Sequence, residues 1–269
     1  MFKVRLRSGI ILLALAVLFL VLGGPVLFVV SLLISLIGMS ELYRILDFEK
    51  QLLGVVAYLG AGAYYLCLYF GQGDLPMMAL IFALMAILAV YVFTYPRYQA
   101  MQVMMAFFGI VYVAVMLSYM YQIRRMEGGM YLVWLVFISS WGCDTCAYCA
   151  GVLLGKHKMA PVLSPKKSVE GAVGGVLGAA LIGAIYGMVF KDRLTIFVHP
   201  ALVLALIGAV GGLISMVGDL AASAIKRNFE IKDYGTLIPG HGGILDRFDS
   251  VIITGPLVFY LILLLRQIG

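Results

Sequence analysis

Between Ser223 and Ser250 the chain reads SAIKRNFEIKDYGTLIPGHGGILDRFDS, which crowds Lys226, Arg227, Lys232, Asp233, His241, Asp246, Arg247 and Asp249 into one segment. A simple connector needs no such density. Asp246 and Asp249 are three apart, so a helical turn places both near one face. Their hard oxygens suit Mg²⁺, which takes one or two carboxylates and completes its shell with water and substrate phosphates. The neighbouring Lys and Arg suit phosphate oxygens. Glycines at 235, 240, 242 and 243 allow the backbone to turn sharply and approach a ligand closely. His241 suits a phosphate contact or a proton transfer, with a loop hydrogen-bonding role as the plain alternative.

A second polar stretch, GKHKMAPVLSPKKSVEGAVGG from Gly155 to Gly175, carries Lys166, Lys167 and Ser168. Ser168 is placed to N-cap the following helix, whose free N–H groups and positive dipole end would face an anion beside the two lysines. A basic loop drawn to anionic lipid headgroups is the competing explanation.

Among the 13 acidic residues, Asp144 and Asp219 fall inside apolar runs, where an isolated carboxylate costs at least a few kcal/mol and usually faces a polar cavity. Helical spacing puts Ser140, Asp144, Tyr148, Gly151 and Gly155 on one stripe. It puts Gly208, Gly212, Ser215, Asp219, Ser223 and Lys226 on another. Two stripes of this kind could line one cleft, or they could be glycine-mediated packing contacts holding a neutral or internally paired Asp.

The elements that must position these residues are membrane helices. Of 269 residues 64% are hydrophobic and 12% charged, and the mean hydropathy is +1.08. A soluble fold of this length cannot hide so much apolar surface. Apolar runs of about 20 residues recur, long enough to cross a core of roughly 30 Å. The expected fold is all-α, a polytopic integral membrane helical bundle of about nine transmembrane helices. The spans are placed near 8–22, 24–38, 51–70, 75–94, 102–122, 130–154, 171–190, 201–225 and 250–266. Residues 1–129 form an N-terminal membrane region of about five spans. Residues 130–269 form a C-terminal catalytic membrane region of about four, with the two polar loops on its cytoplasmic side.

With the N-terminus cytoplasmic, 14 of the 19 basic residues fall on the cytoplasmic side, and Arg124, Arg125, Lys191, Arg193 and Arg266 fall on the other. The excess of Lys and Arg that marks cytoplasmic loops therefore favours this orientation. Cys143, Cys146 and Cys149 have the spacing CxxCxxC. They lie in an apolar run, however, where Cys serves as a small packing residue rather than as a metal ligand. The three dispersed histidines supply no zinc pair. Walker A, GxGxxG and GxSxG motifs are absent from the sequence. An ion-coupled transporter would also use intramembrane Asp and broken helices, but it leaves the charged, glycine-rich segment unexplained.

The segment from Ser223 through Lys226, Arg227, Lys232, Asp233, Gly235, Pro239, His241, Gly242, Gly243, Asp246 and Arg247 to Asp249 resembles, with its spacing intact, the C-terminal signature of the phosphatidate cytidylyltransferases, also called CDP-diacylglycerol synthases. Asp144, Tyr148, Gly151, Lys156, Ser164, Pro165, Lys166, Lys167, Ser168 and Glu170 are similar to a second block of that family. The resemblance covers roughly residues 140 to 250. It implies that CTP and phosphatidic acid give CDP-diacylglycerol and pyrophosphate in a bacterial cell (inner) membrane, with the active site facing the cytoplasm. The implied cofactor is Mg²⁺, alone or with a second cation. Membrane lipid surrounds the chain, nucleic acid is not an expected partner, and a homodimer is suggested by the family alone. Asp219 and Asp246 are the first choices for the metal, followed by Asp144 and Asp249. Lys226, Arg227, Asp233 and His241 join the catalytic set. Lys166, Lys167, Ser168, Ser223, Lys232 and Arg247 bind substrate. A CTP-using polyprenol kinase, which passes on the γ-phosphate, is the nearest alternative.

Overall fold

A computed structural model describes residues 2–71, 73–240 and 242–268. Among these, nine long helices follow one another: α1 (Phe2–Leu22), α2 (Gly24–Arg44), α3 (Leu52–Phe70), α4 (Leu75–Phe93), α5 (Ala100–Arg125), α6 (Gly129–Leu154), α7 (Val169–Val189), α8 (Pro200–Asn228) and α9 (Leu245–Ile268). Eight are long and apolar enough to cross a bilayer, and α1 contributes a shorter apolar stretch, Arg7–Leu22. The chain is an integral membrane protein of nearly all-α structure, as its hydropathy requires.

Observed helices and expected spans coincide to within a few residues except at the start of α1, at Phe2 rather than 8, and at two further ends. α2 runs on to Arg44 rather than stopping at 38, and α9 begins at Leu245 rather than 250. In both places charged residues looked like a break, although helix geometry tolerates them wherever the side chain finds a partner. One element was not foreseen. Between α6 and α7 lies a short antiparallel hairpin, β1 (Lys158–Ala160) with β2 (Ser164–Ser168), pairing Lys158 with Ser168 and Ala160 with Ser164.

The chain divides into two compact units, Met1–Ser118 with Asp233–Arg247, and Tyr119–Lys232 with Phe248–Gly269. In the first unit, several polar groups inside the helices find internal partners, as hydrocarbon favours. The Tyr43 hydroxyl donates to the Ala106 carbonyl at 2.6 Å, Ser35 and Tyr65 share a hydrogen bond of 2.9 Å, and Tyr64 and Ser118 share one of 3.0 Å. Gly109 makes room for the Tyr43 ring, since a Cβ there would lie 2.5 Å from its hydroxyl.

In the second unit, α7 packs between α6 and α8. Its buried face is Gly171, Gly175, Ala179, Gly183 and Gly187, one small residue every fourth position. Small residues let helix backbones approach, which is how membrane helices gain contact when lipid is as apolar as they are. A Cβ on Gly187 would lie 2.7 Å from the Pro200 carbonyl oxygen, and one on Gly175 3.0 Å from Cys143 Sγ.

Candidate active site

The second unit contains a cavity of about 640 Å³ whose lining includes Asp144, Tyr148 and Gly151 from α6, Lys158 and Met159 from β1, and Lys166, Lys167 and Ser168 from β2. Gly171 of α7 and Met216 and Asp219 of α8 complete these walls. Asp144, Tyr148 and Gly151 of the first expected stripe and Asp219 of the second thus share one cavity, while Ser223 and Lys226 of the second line another. This smaller cavity lies beside the first, measures about 290 Å³, and is lined by Lys166, Ser223, Lys226, Arg227 and Lys232 among others. Ser164 and Lys166 line both.

Local sequence explains the placement. On α8, Asp219, Ser223, Lys226 and Arg227 lie within two and a half turns, so Asp219 reaches the large cavity and the other three the small one. Lys226 and Arg227 occupy the last turn of α8, where the negative end of the helix dipole favours cations. The hairpin is pinned at its base. Glu170, in the first turn of α7, accepts the backbone N–H of Lys156 at 3.0 Å. Its carboxylate also contacts His157 Nδ1 at 2.6 Å. Ser168 does N-cap α7, its Oγ accepting the Gly171 N–H at 3.1 Å. Any Cβ on Gly155 or Gly171 would lie 2.8 or 2.9 Å from that oxygen, so the glycines clear space for the cap.

Lys167 forms an ion pair with Asp219 on the cavity wall. The Lys167 nitrogen is shielded from solvent. An ammonium carries three donors, so the pair leaves N–H groups to offer an anion while it neutralises Asp219.

In the first unit, the Asp233–Arg247 segment folds around two buried carboxylates. Asp246, 6% exposed, accepts the N–H of Tyr234 at 2.8 Å and of Gly243 at 3.0 Å, both on Oδ2. Glu41, 3% exposed and near the end of α2, accepts the N–H of Ile244 at 3.0 Å and of Leu245 at 2.8 Å. Gly242, at φ +84°, holds a left-handed conformation that a side chain resists, and its carbonyl accepts the Ile238 N–H at 2.8 Å. Asp233 is exposed and Arg247 half-buried. His241 lies outside the described residues. Asp249, in the second unit and 9% exposed, accepts the Ser250 N–H at 2.8 Å.

Glu41 lies beyond the span expected to end at 38, in what the sequence presents as a connector, whereas α2 carries it inside a helix. The available signal was the rarity of acids at the end of an apolar run.

Among the described residues no three His, Cys, Asp or Glu side chains cluster as a metal cage. Mg²⁺ does not require one, because substrate phosphates and water fill its remaining positions. The Asp144 and Asp219 carboxylates on one cavity wall fit that hard-oxygen chemistry. Cys143 and Cys146, by contrast, sit at helix contacts, while Cys149 is exposed. Cys143 is buried with Ala179 and Met216, and a Cβ on Gly178 would lie 2.5 Å from Cys146 Sγ.

The second unit thus sets two carboxylates and a cluster of cations around adjoining cavities, an arrangement whose chemistry suits phosphate-bearing ligands. The chain matches the model of the cytidylyltransferase family over residues 3–265. It is 34% identical over 264 residues to the phosphatidate cytidylyltransferase of Staphylococcus saprophyticus, covering 97% of this chain and 99% of that protein. It is 33% identical over 265 residues to that of Staphylococcus haemolyticus and 31% identical over 266 to that of Staphylococcus aureus, with the same coverage of 97% and 99%. The chain therefore belongs to the cytidylyltransferase family.

Proposed function

We propose that the chain transfers the cytidylyl group of CTP to phosphatidic acid, giving CDP-diacylglycerol and pyrophosphate for phospholipid synthesis. A phosphate oxygen of the lipid attacks the α-phosphorus, and the bond from that phosphorus to the bridging oxygen of pyrophosphate breaks. Both reactants are anions, so the chief task of the protein is to screen their repulsion and hold them in line. The observation that carries this reading is the pair of adjoining cavities, one with Asp144, Asp219 and Lys167, the other with four cationic side chains.

Lys166, Lys226, Arg227 and Lys232 bind phosphate oxygens, with Ser223 donating a hydroxyl, and Lys167 and Ser168 complete the anion-facing wall. Arg247 is assigned to a phosphate, and Asp233 and His241 to positioning. The lipid phosphate is already ionised near neutral pH, so no strong general base is needed. Mg²⁺ is the proposed cofactor, held by Asp144 and Asp219 in the cavity, and it would supply charge neutralisation at the departing pyrophosphate. Asp249 and Asp246 are the further candidate metal carboxylates of the second and first units respectively. A bacterial inner membrane with the site facing the cytoplasm is the proposed setting, where CTP and Mg²⁺ are found. A homodimer is proposed from family resemblance alone.

The test is turnover of the purified chain in detergent with CTP, phosphatidic acid and Mg²⁺, omitting each in turn. CTP radiolabelled at the α-phosphate should pass its label to lipid, and CTP labelled at the γ-phosphate should not. Lipid labelled only from the γ-position would identify a polyprenol-type kinase instead, and no labelling from either would leave transport as the better account.

A further inference from the structure

Glu41 is one of the most deeply buried ionisable side chains described, 3% exposed, and no step above uses it. Its carboxylate spans two consecutive backbone N–H groups, those of Ile244 at 3.0 Å and Leu245 at 2.8 Å, where α9 begins. Helices are ordinarily capped by a residue just before them in sequence. Here the acceptor comes from α2, 203 and 204 positions away. Two glycines make that reach feasible. A Cβ on Gly235 would lie 2.5 Å from Glu41 Oε1, and one on Gly243 would also strike the carboxylate. Gly243 touches both acids, because its N–H donates to Asp246 Oδ2 at 3.0 Å. The two carboxylates thus fix consecutive N–H groups of one tight turn, Asp246 taking residue 243 and Glu41 taking 244 and 245.

We propose that Glu41 is a positioning residue for the reaction: its carboxylate ties the Asp233–Arg247 segment to α2 and so fixes the orientation in which Asp246 is presented. The proposal rests on the reading of Asp246 as a metal-binding carboxylate. An acid at this place does more than cap, because the capped turn is the one that carries the functional carboxylate, and a few tenths of an ångström there matter to metal geometry.

The experiment compares Glu41→Ala, Glu41→Gln, Gly243→Ala and Asp246→Asn with the parent, each purified as the full chain. Hydrogen exchange without metal or nucleotide should be at least tenfold faster at the Ile244 and Leu245 amides in Glu41→Ala. Turnover titrated with Mg²⁺ should show the half-saturating concentration raised at least tenfold in that variant. Glu41→Gln should fall between, since its amide oxygen can accept only part of the bonding. Gly243→Ala, which displaces the carboxylate from the loop side, should move both readouts in the same direction, and with Glu41→Gln it decides the matter if Glu41→Ala does not fold. An unchanged Mg²⁺ half-saturation in folded Glu41→Ala, with Asp246→Asn inactive, overturns the positioning role and leaves the Asp246 reading standing. Near-normal turnover of Asp246→Asn overturns both.

Discussion

Lys167 and Asp219 neutralise one another on the wall of the large cavity, and that pairing decides what either residue can be replaced by. Removing the ammonium leaves a half-buried carboxylate uncompensated, while removing the carboxylate frees a cation that then holds phosphate too statically or swings away. Lys167→Ala and Asp219→Asn should each lower kcat/KM about 100-fold or more, equivalent to roughly 2.7 kcal/mol of transition-state stabilisation. The double variant should lose much less than the product of the two, as groups acting as a unit do. Steady-state kinetics on the four proteins gives the answer, and strictly multiplicative losses would show that the residues act separately. At this scale Asp144 and Asp219 were legible because charge in an apolar run is costly and helical period fixes its face, and Lys167 because it stands in a basic loop beside the Ser168 cap. Glu41 was not, because its role comes from a contact with residues 203 and 204 positions distant, which no local pattern reports.

The helices of the second unit hold the site through small residues rather than through large interlocking ones. Cys143 sits on this seam, its Sγ donating weakly to the Gly212 carbonyl at 3.5 Å, and Cys146 faces Gly178. Replacing Cys143, Cys146 and Cys149 together by Ala should therefore retain most turnover, since a small side chain replaces a small one. Gly175→Leu should do the opposite. Its side chain would enter the seam between α7 and Cys143, overpacking that costs about 1–3 kcal/mol or more, seen as a lowered midpoint of thermal inactivation in detergent. Equal midpoints for the glycine variant and the parent would refute the tight seam, and loss of activity in the alanine triple would return the cysteines to the functional set. Helical period made the stripes of α6 and α8 readable in advance, whereas the small-residue face of α7 emerges only from the packing. The hairpin was not readable, because strands of three and five residues are shorter than any period can establish, and their stability comes from Glu170 fastening Lys156 and His157 to α7.

For the molecule as a whole, the topology expected from sequence puts 14 of its 19 basic residues on one side of the membrane. That asymmetry orients membrane proteins with the basic side in the cytoplasm, and here the basic side carries both candidate substrate loops. The element that converts this into an experiment is α7, 21 residues long, which at 1.5 Å per residue extends about 31 Å and matches the hydrocarbon core. Its two ends must then emerge on opposite faces. Val162, 85% exposed in the hairpin turn, precedes α7, and Arg193, also exposed, follows it. In a background lacking the four native cysteines, Val162→Cys should be protected from a membrane-impermeant maleimide applied to intact cells and should label once the cells are opened. Arg193→Cys should label without opening. The reverse pattern would place the cation-lined cavities outside, away from CTP, and would refute both the orientation and the cytoplasmic active site. Labelling of both positions in intact cells would show that α7 does not cross at all.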